Sequence, residues 1–249
     1  IDQGTTSSRV ILFGFDGEVL KTFQREFACS YPKSGWVEQD ANQIWNDVFE
    51  LCTSAIAHAK KESYTIESIG IANQRETIVF FDKTTQRALA PTIVWQDRRT
   101  ADICDKLNQS GYADLVKQRT GLVIDPYFSA TKIAWGIQND DLVRQALFAN
   151  NLYVGTIDSW LLYKLSGGKM HATDSSNASR TMLFDIVKHR WCDELLSLFE
   201  VPREILPQVM NSIDDYGSTA EGLFDLCLPI RALIGDQQAA TIGQGCLHK

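Results

Sequence analysis

Residues 2–19 read DQGTTSSRVILFGFDGEV, and this stretch predicts how the fold begins. The apolar run from Val10 to Phe15 predicts a strand, and Asp16-Gly17 is a strong signal for a two-residue turn. Apolar and polar residues alternate often enough over residues 19–29 to predict one or two further strands. The chain is therefore expected to begin with an antiparallel hairpin sheet.

Strand and helix signals alternate along the rest of the chain. Asp40 is a suitable N-cap for a helix in which apolar residues recur at helical spacing from Ile44 to Ala59. Further strands are predicted over residues 66–72, 77–81, 92–95, 152–157 and 232–234. Further helices are predicted over residues 99–107, 112–119, 130–138, 142–149, 159–165 and 193–199, and from about residue 237. The alternation indicates an α/β fold, and we expect one compact domain with helical insertions.

Composition narrows the classes of function. The formal net charge is -7, which repels phosphate backbones, so nucleic acid is not an expected partner. No apolar run is long enough to cross a bilayer, so membrane insertion is not expected either. The cysteines form no C-x-x-C pair and lie mostly in apolar stretches, which favours reduced thiols in the cytoplasm. The histidines lack metal-ligand spacing.

The segment Asp2 to Arg9 combines a carboxylate, a glycine, hydroxyls and a guanidinium. Glycine allows a tight turn whose N–H groups face an anion, hydroxyls donate to phosphate oxygens, and arginine neutralises phosphate charge. An aspartate at a strand end can hold Mg²⁺ through water. The alternative is an ordinary polar hairpin turn, which needs far fewer of these groups.

Two further polar segments follow predicted strands. Arg75 and Glu76 place a donor fork beside an acceptor, a combination that can read the vicinal hydroxyls of a polyol. The face of Trp95 can pack on the carbon side of a small polyol. A charged turn and a core tryptophan are the structural alternatives.

Two more segments carry candidate functional residues. Asp125-Pro126 is a turn signal that places Tyr127 on a loop, where its hydroxyl can contact a substrate or its ring can simply pack. Asp236 follows a buried strand, and a carboxylate there is well placed as a general base, although it can also be only a helix cap. Residues 155–160 and 171–180 are interpreted as structural turns. In the second, polar residues could bind a ligand, but a loop hydrogen-bond network is favoured; these residues are His171, Asp174, Asn177 and Arg180.

Together these segments resemble the FGGY sugar kinases, and within them the glycerol kinase group. The resemblance runs from about residue 2 to residue 245 and is carried by six segments: residues 2–6 (DQGTT), 35–40 (GWVEQD), 73–77 (NQRET), 95–99 (WQDRR), 125–128 (DPYF) and 235–238 (GDQQ). The first motif alone marks only the superfamily. The resemblance to the family implies the actin-like ATPase fold, in which two ribonuclease-H-like domains face a cleft. Here that fold would be a mixed β-sheet flanked by helices.

The resemblance also implies ATP-dependent phosphorylation of glycerol to sn-glycerol 3-phosphate. Asp236 would be the catalytic base. The residues implied to hold glycerol are Arg75, Glu76, Trp95, Tyr127, Asp236 and Gln237. Those implied to contact the ATP phosphates are Thr5, Thr6, Ser7 and Arg9. Asp2 would lie near Mg²⁺.

The domain organisation follows from the same resemblance. Residues 1–245 would form the N-terminal, substrate-binding domain, and residues 246–249 would begin the hinge to a C-terminal kinase domain of the same protein. The full-length protein is expected to be a cytoplasmic homodimer or homotetramer. The fragment alone is expected to be inactive or very weakly active, because one half cannot close a cleft. The first strand is expected to be shortened at its start.

Three other functions fit parts of the sequence. A kinase of the same family acting on a sugar or a longer polyol shares most of the motifs. Filament proteins and chaperones of the actin-like fold share the first hairpin but do not need Arg75-Glu76 or Asp236-Gln237. A binding-only paralogue is disfavoured, because the candidate base Asp236 is present. Fold alone does not distinguish these functions, since function depends on the residues of the site.

Overall fold

The computed structural model describes residues 1–246. The strands are β1 Asp2–Gln3, β2 Ser7–Phe13, β3 Val19–Glu26, β4 Glu38–Gln39, β5 Ile69–Asn73, β6 Ile78–Asp82, β7 Thr92–Ile93, β8 Leu152–Thr156, β9 Ala172–Asp174, β10 Phe184–Asp185, β11 Arg190–Trp191, β12 Gln208–Met210 and β13 Ile230–Gly235. The helices are α1 Ala41–Lys61, α2 Ala101–Gln109, α3 Ala113–Thr120, α4 Ser129–Asn139, α5 Asp141–Phe148, α6 Ile157–Leu165, α7 Ser175–Ala178, α8 Asp193–Leu198 and α9 Asp236–Gly243. A short 3₁₀ helix spans Arg203–Ile205. Of the predicted hinge 246–249, residues 247–249 lie outside the described residues.

A five-stranded mixed sheet forms the centre, in the order β13-β5-β1-β2-β3. The first three strands in sequence are antiparallel, whereas β1, β5 and β13 run parallel. A hairpin turn is present at the predicted place, but it is longer than two residues, because β2 ends at Phe13 and β3 begins at Val19. Gly17 adopts φ +84°, and the Asp16 carboxylate accepts a bond from the Glu18 amide at 3.0 Å. Asp40 caps α1 as predicted, because its carboxylate accepts from the amide of Asn42 at 2.8 Å.

A second sheet carries the helical insertion. It has four strands in the order β4-β7-β6-β8. One of the two apolar core clusters packs between this sheet and helices α3 to α5 and α8. The other apolar cluster lies between the central sheet and helices α1 and α6. The α/β class with helical insertions is confirmed. The sequence predicts β6, β7 and β8 but not their separate sheet, because hydrophobic periodicity does not say which strands pair.

Helix α4 packs so tightly on this second sheet that Gly136 has no room for a side chain. A Cβ at Gly136 would lie 2.2 Å from the ring of Phe80, which is itself buried in β6. We expect Gly136→Ala to lower the free energy of unfolding by about 1–3 kcal/mol, because the core must move apart. Urea denaturation measures this, with exposed Asn139→Ala on the same helix as the control. Equal midpoints for the two variants would contradict the packing described.

The central sheet brings three chain segments to one edge. Strand β5 lies between β1 and β13, and Asn73 is the register partner of both Gln3 and Gly235. Because these strands are parallel, their carboxyl ends lie side by side. The segments that follow them, residues 4–6, 74–76 and 236–238, therefore leave the sheet at the same edge.

Candidate active site

The side chains of Arg75 and Asp236 meet at this edge. Nε of Arg75 lies 3.2 Å from Oδ1 of Asp236, and Nη1 of Arg75 donates to Gln238 Oε1 at 3.4 Å. The Nε–H does not point at the carboxylate, so the contact is a charge pair rather than a hydrogen bond. Arg75 is buried, whereas the Asp236 side chain is 42% exposed. Gln237 is exposed on the first turn of α9, and its amide donates to Asp236 Oδ1 at 2.7 Å.

Gly235 makes this pairing possible. A Cβ at this position would lie 2.5 Å from Cδ and 2.8 Å from Cγ of Arg75, and 2.8 Å from Oε1 of Gln238. The backbone of Gly235 is extended at φ -63° and ψ 144°, which any residue can adopt. Glycine is therefore required for close approach of the arginine and not for an unusual backbone conformation.

Glu76 is buried beside the charge pair. Its Oε1 accepts from Nε of Arg180 at 2.7 Å, and its carbonyl accepts from the Ser129 hydroxyl at 2.9 Å. Burial raises the pKa of Glu76, and the hydrogen bond from Arg180 and the charges of Arg75 and Lys132 oppose that rise. Glu76 also has φ +60°, a left-handed conformation that is uncommon for a residue with a side chain. Strained, buried charges of this kind cluster at functional sites.

Two aromatic rings cover the same edge. The indole N–H of Trp95 donates to the hydroxyl of Thr5 at 2.9 Å, which ties the ring to the N-terminal turn. Trp95 and Tyr127 pack edge to face with centroids 5.5 Å apart, and the guanidinium of Arg180 lies 5.7 Å from the Tyr127 ring. The predicted residues Trp95 and Tyr127 are therefore brought together.

The N-terminal turn presents a mixed set of groups. Thr6 is exposed at its tip, whereas Ser7 is buried at the start of β2. The amide of Gly4 closes the turn by donating to the Ser7 carbonyl at 2.9 Å. Nη1 of Arg9 pairs with Oδ2 of Asp2 at 2.9 Å, and both side chains are part-exposed. The predicted phosphate and metal residues lie on one strand-turn-strand unit.

Comparison with known proteins assigns the family. Residues 1–243 match the N-terminal domain of the FGGY family of carbohydrate kinases. The chain belongs to this family. It is 50% identical over 246 residues to the glycerol kinase of Alcanivorax borkumensis, and 49% identical over 248 residues to glycerol kinase 2 of Thermotoga maritima. The alignments cover 99% and 100% of this chain, and the chain spans about half the length of these curated relatives.

Solved structures of FGGY kinases have the same fold. Glycerol kinase from Plasmodium falciparum, solved with ADP, superposes with a TM-score of 0.94 at 31% identity, covering 100% of this chain and 50% of that one. Xylulose kinase from Rhodospirillum rubrum has a TM-score of 0.89 at 21% identity, covering 99% of this chain and 50% of that one. The second likeness shows the fold alone.

Parts of the family motifs stabilise the fold and lie outside the site. The buried guanidinium of Arg99 bonds to Asp97 and Glu38, each at 2.8 Å. The same guanidinium lies 3.7 Å from the centre of the Trp36 ring and 4.7 Å from that of Trp135. Planar, delocalised arginine suits such a stacked ion pair. The GWVEQD and WQDRR segments of this FGGY chain thus hold each other.

Lys132 is a functional candidate that the sequence analysis missed. It lies on α4, fully buried, and its Nζ donates to the carbonyl of Pro126. It also donates to the carbonyls of Tyr127 at 2.9 Å and Phe128 at 3.3 Å. One ammonium therefore holds three successive carbonyls of the loop that carries Tyr127. No sequence signal distinguishes it, because a single lysine in an amphipathic helix is normally exposed.

Burial lowers the pKa of Lys132 to about 7, although the carboxylates of Asp97 and Glu76 oppose this. Between pH 7 and the usual lysine pKa, the unfolded chain holds a proton that the folded chain has lost, so the free energy of unfolding rises with pH. Lys132→Met removes this dependence. We expect the stability difference, wild type minus variant, to increase by roughly 1–2 kcal/mol from pH 7 to pH 9.

Urea unfolding of the two proteins at each pH measures this difference. Lys117→Met is the matched control, because Lys117 is exposed on α3, and its difference is expected to stay flat. A Lys132 difference that stays constant or falls as the pH rises would show that its pKa is not lowered.

Three buried glutamines that the sequence analysis did not identify as functional also hold the site in place. Nε2 of Gln74 donates to Oε1 of Gln3 at 3.1 Å and to Oε1 of Gln39 at 2.9 Å. Nε2 of Gln39 donates to the Thr5 carbonyl at 2.7 Å. This network fixes the N-terminal turn against the segment after β5. The only sequence signal for this network is that the glutamines lie at strand ends. This signal is weak, because glutamines are also common in loops.

Two features are absent from residues 1–246. No cluster of three or more His, Cys, Asp or Glu with metal-binding geometry lies within this range. No helix in the same range is both long and apolar enough to cross a bilayer.

Proposed function

We propose that the full-length protein containing this chain phosphorylates glycerol with ATP to give sn-glycerol 3-phosphate, and that this chain supplies the glycerol site and the base. The observation that carries the proposal is the pairing of Arg75 with Asp236 beside buried Glu76, at the edge where β5 and β13 end. Sequence identities of 50% and 49% to glycerol kinases along the whole chain support glycerol as the substrate. Those relatives are twice as long, so the activity is proposed for the longer protein.

The proposed roles at the glycerol end follow from charge and position. Arg75 and Gln237 donate to glycerol hydroxyls, and Glu76 accepts from one. Trp95 packs against the carbon side of the substrate, and the hydroxyl of Tyr127 contacts a glycerol hydroxyl. Asp236 is part-exposed and accepts the proton of the hydroxyl that attacks the phosphorus. The O–P bond forms on that oxygen as the bond to the leaving ADP breaks.

The proposed roles at the phosphate end belong to the N-terminal turn. Thr5, Thr6 and Ser7 supply donors to the ATP phosphates, and Arg9 neutralises charge. Mg²⁺ bound to the nucleotide would further neutralise the phosphates. The part-exposed carboxylate of Asp2 at the strand end suits a water-mediated contact to such an ion, which needs few protein ligands.

The rest of the longer protein completes the proposal. Residues 1–245 act as the substrate-binding domain, and a C-terminal domain of similar size supplies most of the nucleotide site. The full-length protein is proposed to be a cytoplasmic homodimer or homotetramer. The isolated chain should turn over ATP very weakly, since catalysis in such kinases requires a cleft closed from both sides.

An assay of the full-length protein tests the function. ADP release is followed with Mg²⁺-ATP and either glycerol, erythritol or D-xylulose. We expect glycerol to have the highest kcat/KM. A clear preference for the tetritol would make this a kinase of a longer polyol, and a preference for the ketose a sugar kinase. ADP release that none of the three compounds stimulates would contradict kinase activity.

A further inference from the structure

The segment from Asp174 to Arg180, interpreted from sequence as a structural turn, is unusually well fixed. Asp174 is fully buried, and its Oδ1 accepts from the backbone and side-chain nitrogens of Asn177, both at 2.9 Å. Its Oδ2 accepts from the Ser176 amide at 3.0 Å and from the Ser212 hydroxyl at 2.6 Å. Four donors to one carboxylate leave the short helix α7 little freedom to move.

The turn is bonded to the end of β5. Nδ2 of Asn177 donates to Oδ1 of Asn73 at 3.0 Å, and Nδ2 of Asn73 donates back to Oδ1 of Asn177 at 2.9 Å. Both side chains are fully buried. Asn73 is the last residue of β5, two positions before Arg75, so this reciprocal pair fixes the point from which the arginine leaves the sheet.

The same turn is bonded to the end of β13. The amide of Gly235 donates to the hydroxyl of Ser176 at 2.8 Å. Gly235 directly precedes Asp236, and it is the register partner of Asn73. The turn therefore holds both strand ends at the level where their ladder stops. Arg180, at the far end of the turn, holds the carboxylate of Glu76.

We propose that Asp174, Ser176 and Asn177 form a positioning clamp, in which Ser176 and Asn177 set the distance between Arg75 and Asp236. The inference rests on the proposed function, because it treats Asp236 as the base and Arg75 as a substrate ligand. Ser176 is the positioning residue for Asp236. Two adjacent strands bonded only to each other can still splay where their ladder ends, and a third element bonded to both prevents this.

Such a clamp affects catalysis because the rate of phosphoryl transfer depends chiefly on how the reacting groups are positioned. A misplacement of about 1 Å far from the chemistry can cost on the order of 10²-fold in rate. Loss of the Ser176 hydroxyl frees the backbone before Asp236 but leaves Arg75 held through Asn177. We therefore expect the loss of this hydroxyl to displace the base Asp236 and lower kcat, while the affinity for glycerol changes less.

The test compares two serine variants of the same turn in the full-length protein. Ser176→Ala removes the acceptor for Gly235, whereas Ser179→Ala removes only a bond from its hydroxyl to the Ser176 carbonyl at 2.9 Å. We expect Ser176→Ala to lower kcat by about ten-fold while KM for glycerol changes less than about two-fold. Ser179→Ala should keep both near wild type. The thermal midpoints of the two variants should fall by similar small amounts.

The outcomes separate this inference from the proposed function. A wild-type protein that does not phosphorylate glycerol overturns the proposed function and the clamp with it. An active wild type in which both serine variants have equal kcat overturns the clamp alone. The clamp is also overturned if Ser176→Ala raises KM for glycerol and leaves kcat unchanged.

Discussion

Replacing Asp236 by Asn in the full-length protein is expected to lower kcat by about 10²–10⁴-fold, the usual contribution of a positioned general base. The amide is the same size but cannot accept the proton of the attacking hydroxyl. KM for glycerol should change little, because Arg75, Glu76 and Gln237 remain. A fall in kcat that leaves KM unaltered marks an interaction made in the transition state.

Asp102→Asn is the matched control for this substitution. Asp102 also lies in the first turn of a helix, α2, and is exposed. It should leave both constants unchanged, which separates a catalytic role from a helix-dipole effect. If Asp236→Asn retained more than about a tenth of the wild-type kcat, Asp236 would be only a helix-terminal carboxylate.

The second large effect is expected from Gly235→Ala. The added methyl would lie 2.5 Å from Cδ of Arg75, so the arginine must leave its place beside Asp236. Because the backbone angles at Gly235 suit alanine, the change acts on the site and not on the local conformation. We expect kcat/KM for glycerol to fall by on the order of 10²-fold, as for a misplaced substrate ligand.

Gly243→Ala serves as the control, because a Cβ there meets no atom within 4 Å and the residue ends helix α9. Steady-state kinetics of both variants, with circular dichroism to confirm folding, measure the effect. Kinetics for Gly235→Ala equal to those of Gly243→Ala would mean that Arg75 does not need its observed position.

Local signals in the sequence predict the elements that depend on local chemistry. The Asp40 cap forms as expected and the hairpin turn lies at Asp16-Gly17, because each is decided by one side chain and its neighbouring amides. The turn is, however, longer than two residues. Predicted strand and helix limits differ from the observed ones by a few residues, as for β3, which ends at Glu26 and not at residue 29. Ends of this kind are set by pairing partners that periodicity does not specify.

Non-local contacts account for what the sequence did not predict. Arg180 lies 104 residues from Glu76 in sequence, and Asn177 lies 104 residues from Asn73. A polar turn with an arginine is typical of any exposed loop, so nothing local shows that it reaches the site. Lys132 likewise depends on the fold, because only the packed loop brings three carbonyls to one buried ammonium. The resemblance to FGGY kinases implied which residues bind glycerol, but it did not indicate the groups that hold those residues in place.

A crystal structure of the full-length protein with glycerol and a non-hydrolysable ATP analogue tests the proposed glycerol site most directly. We expect glycerol at the edge where β5 and β13 end. Its hydroxyls should lie within hydrogen-bonding distance of Arg75 and Glu76, and one terminal hydroxyl should face both Asp236 and the γ-phosphate. Glycerol bound elsewhere, or a reacting hydroxyl turned away from Asp236, would contradict the proposed site and the proposed base.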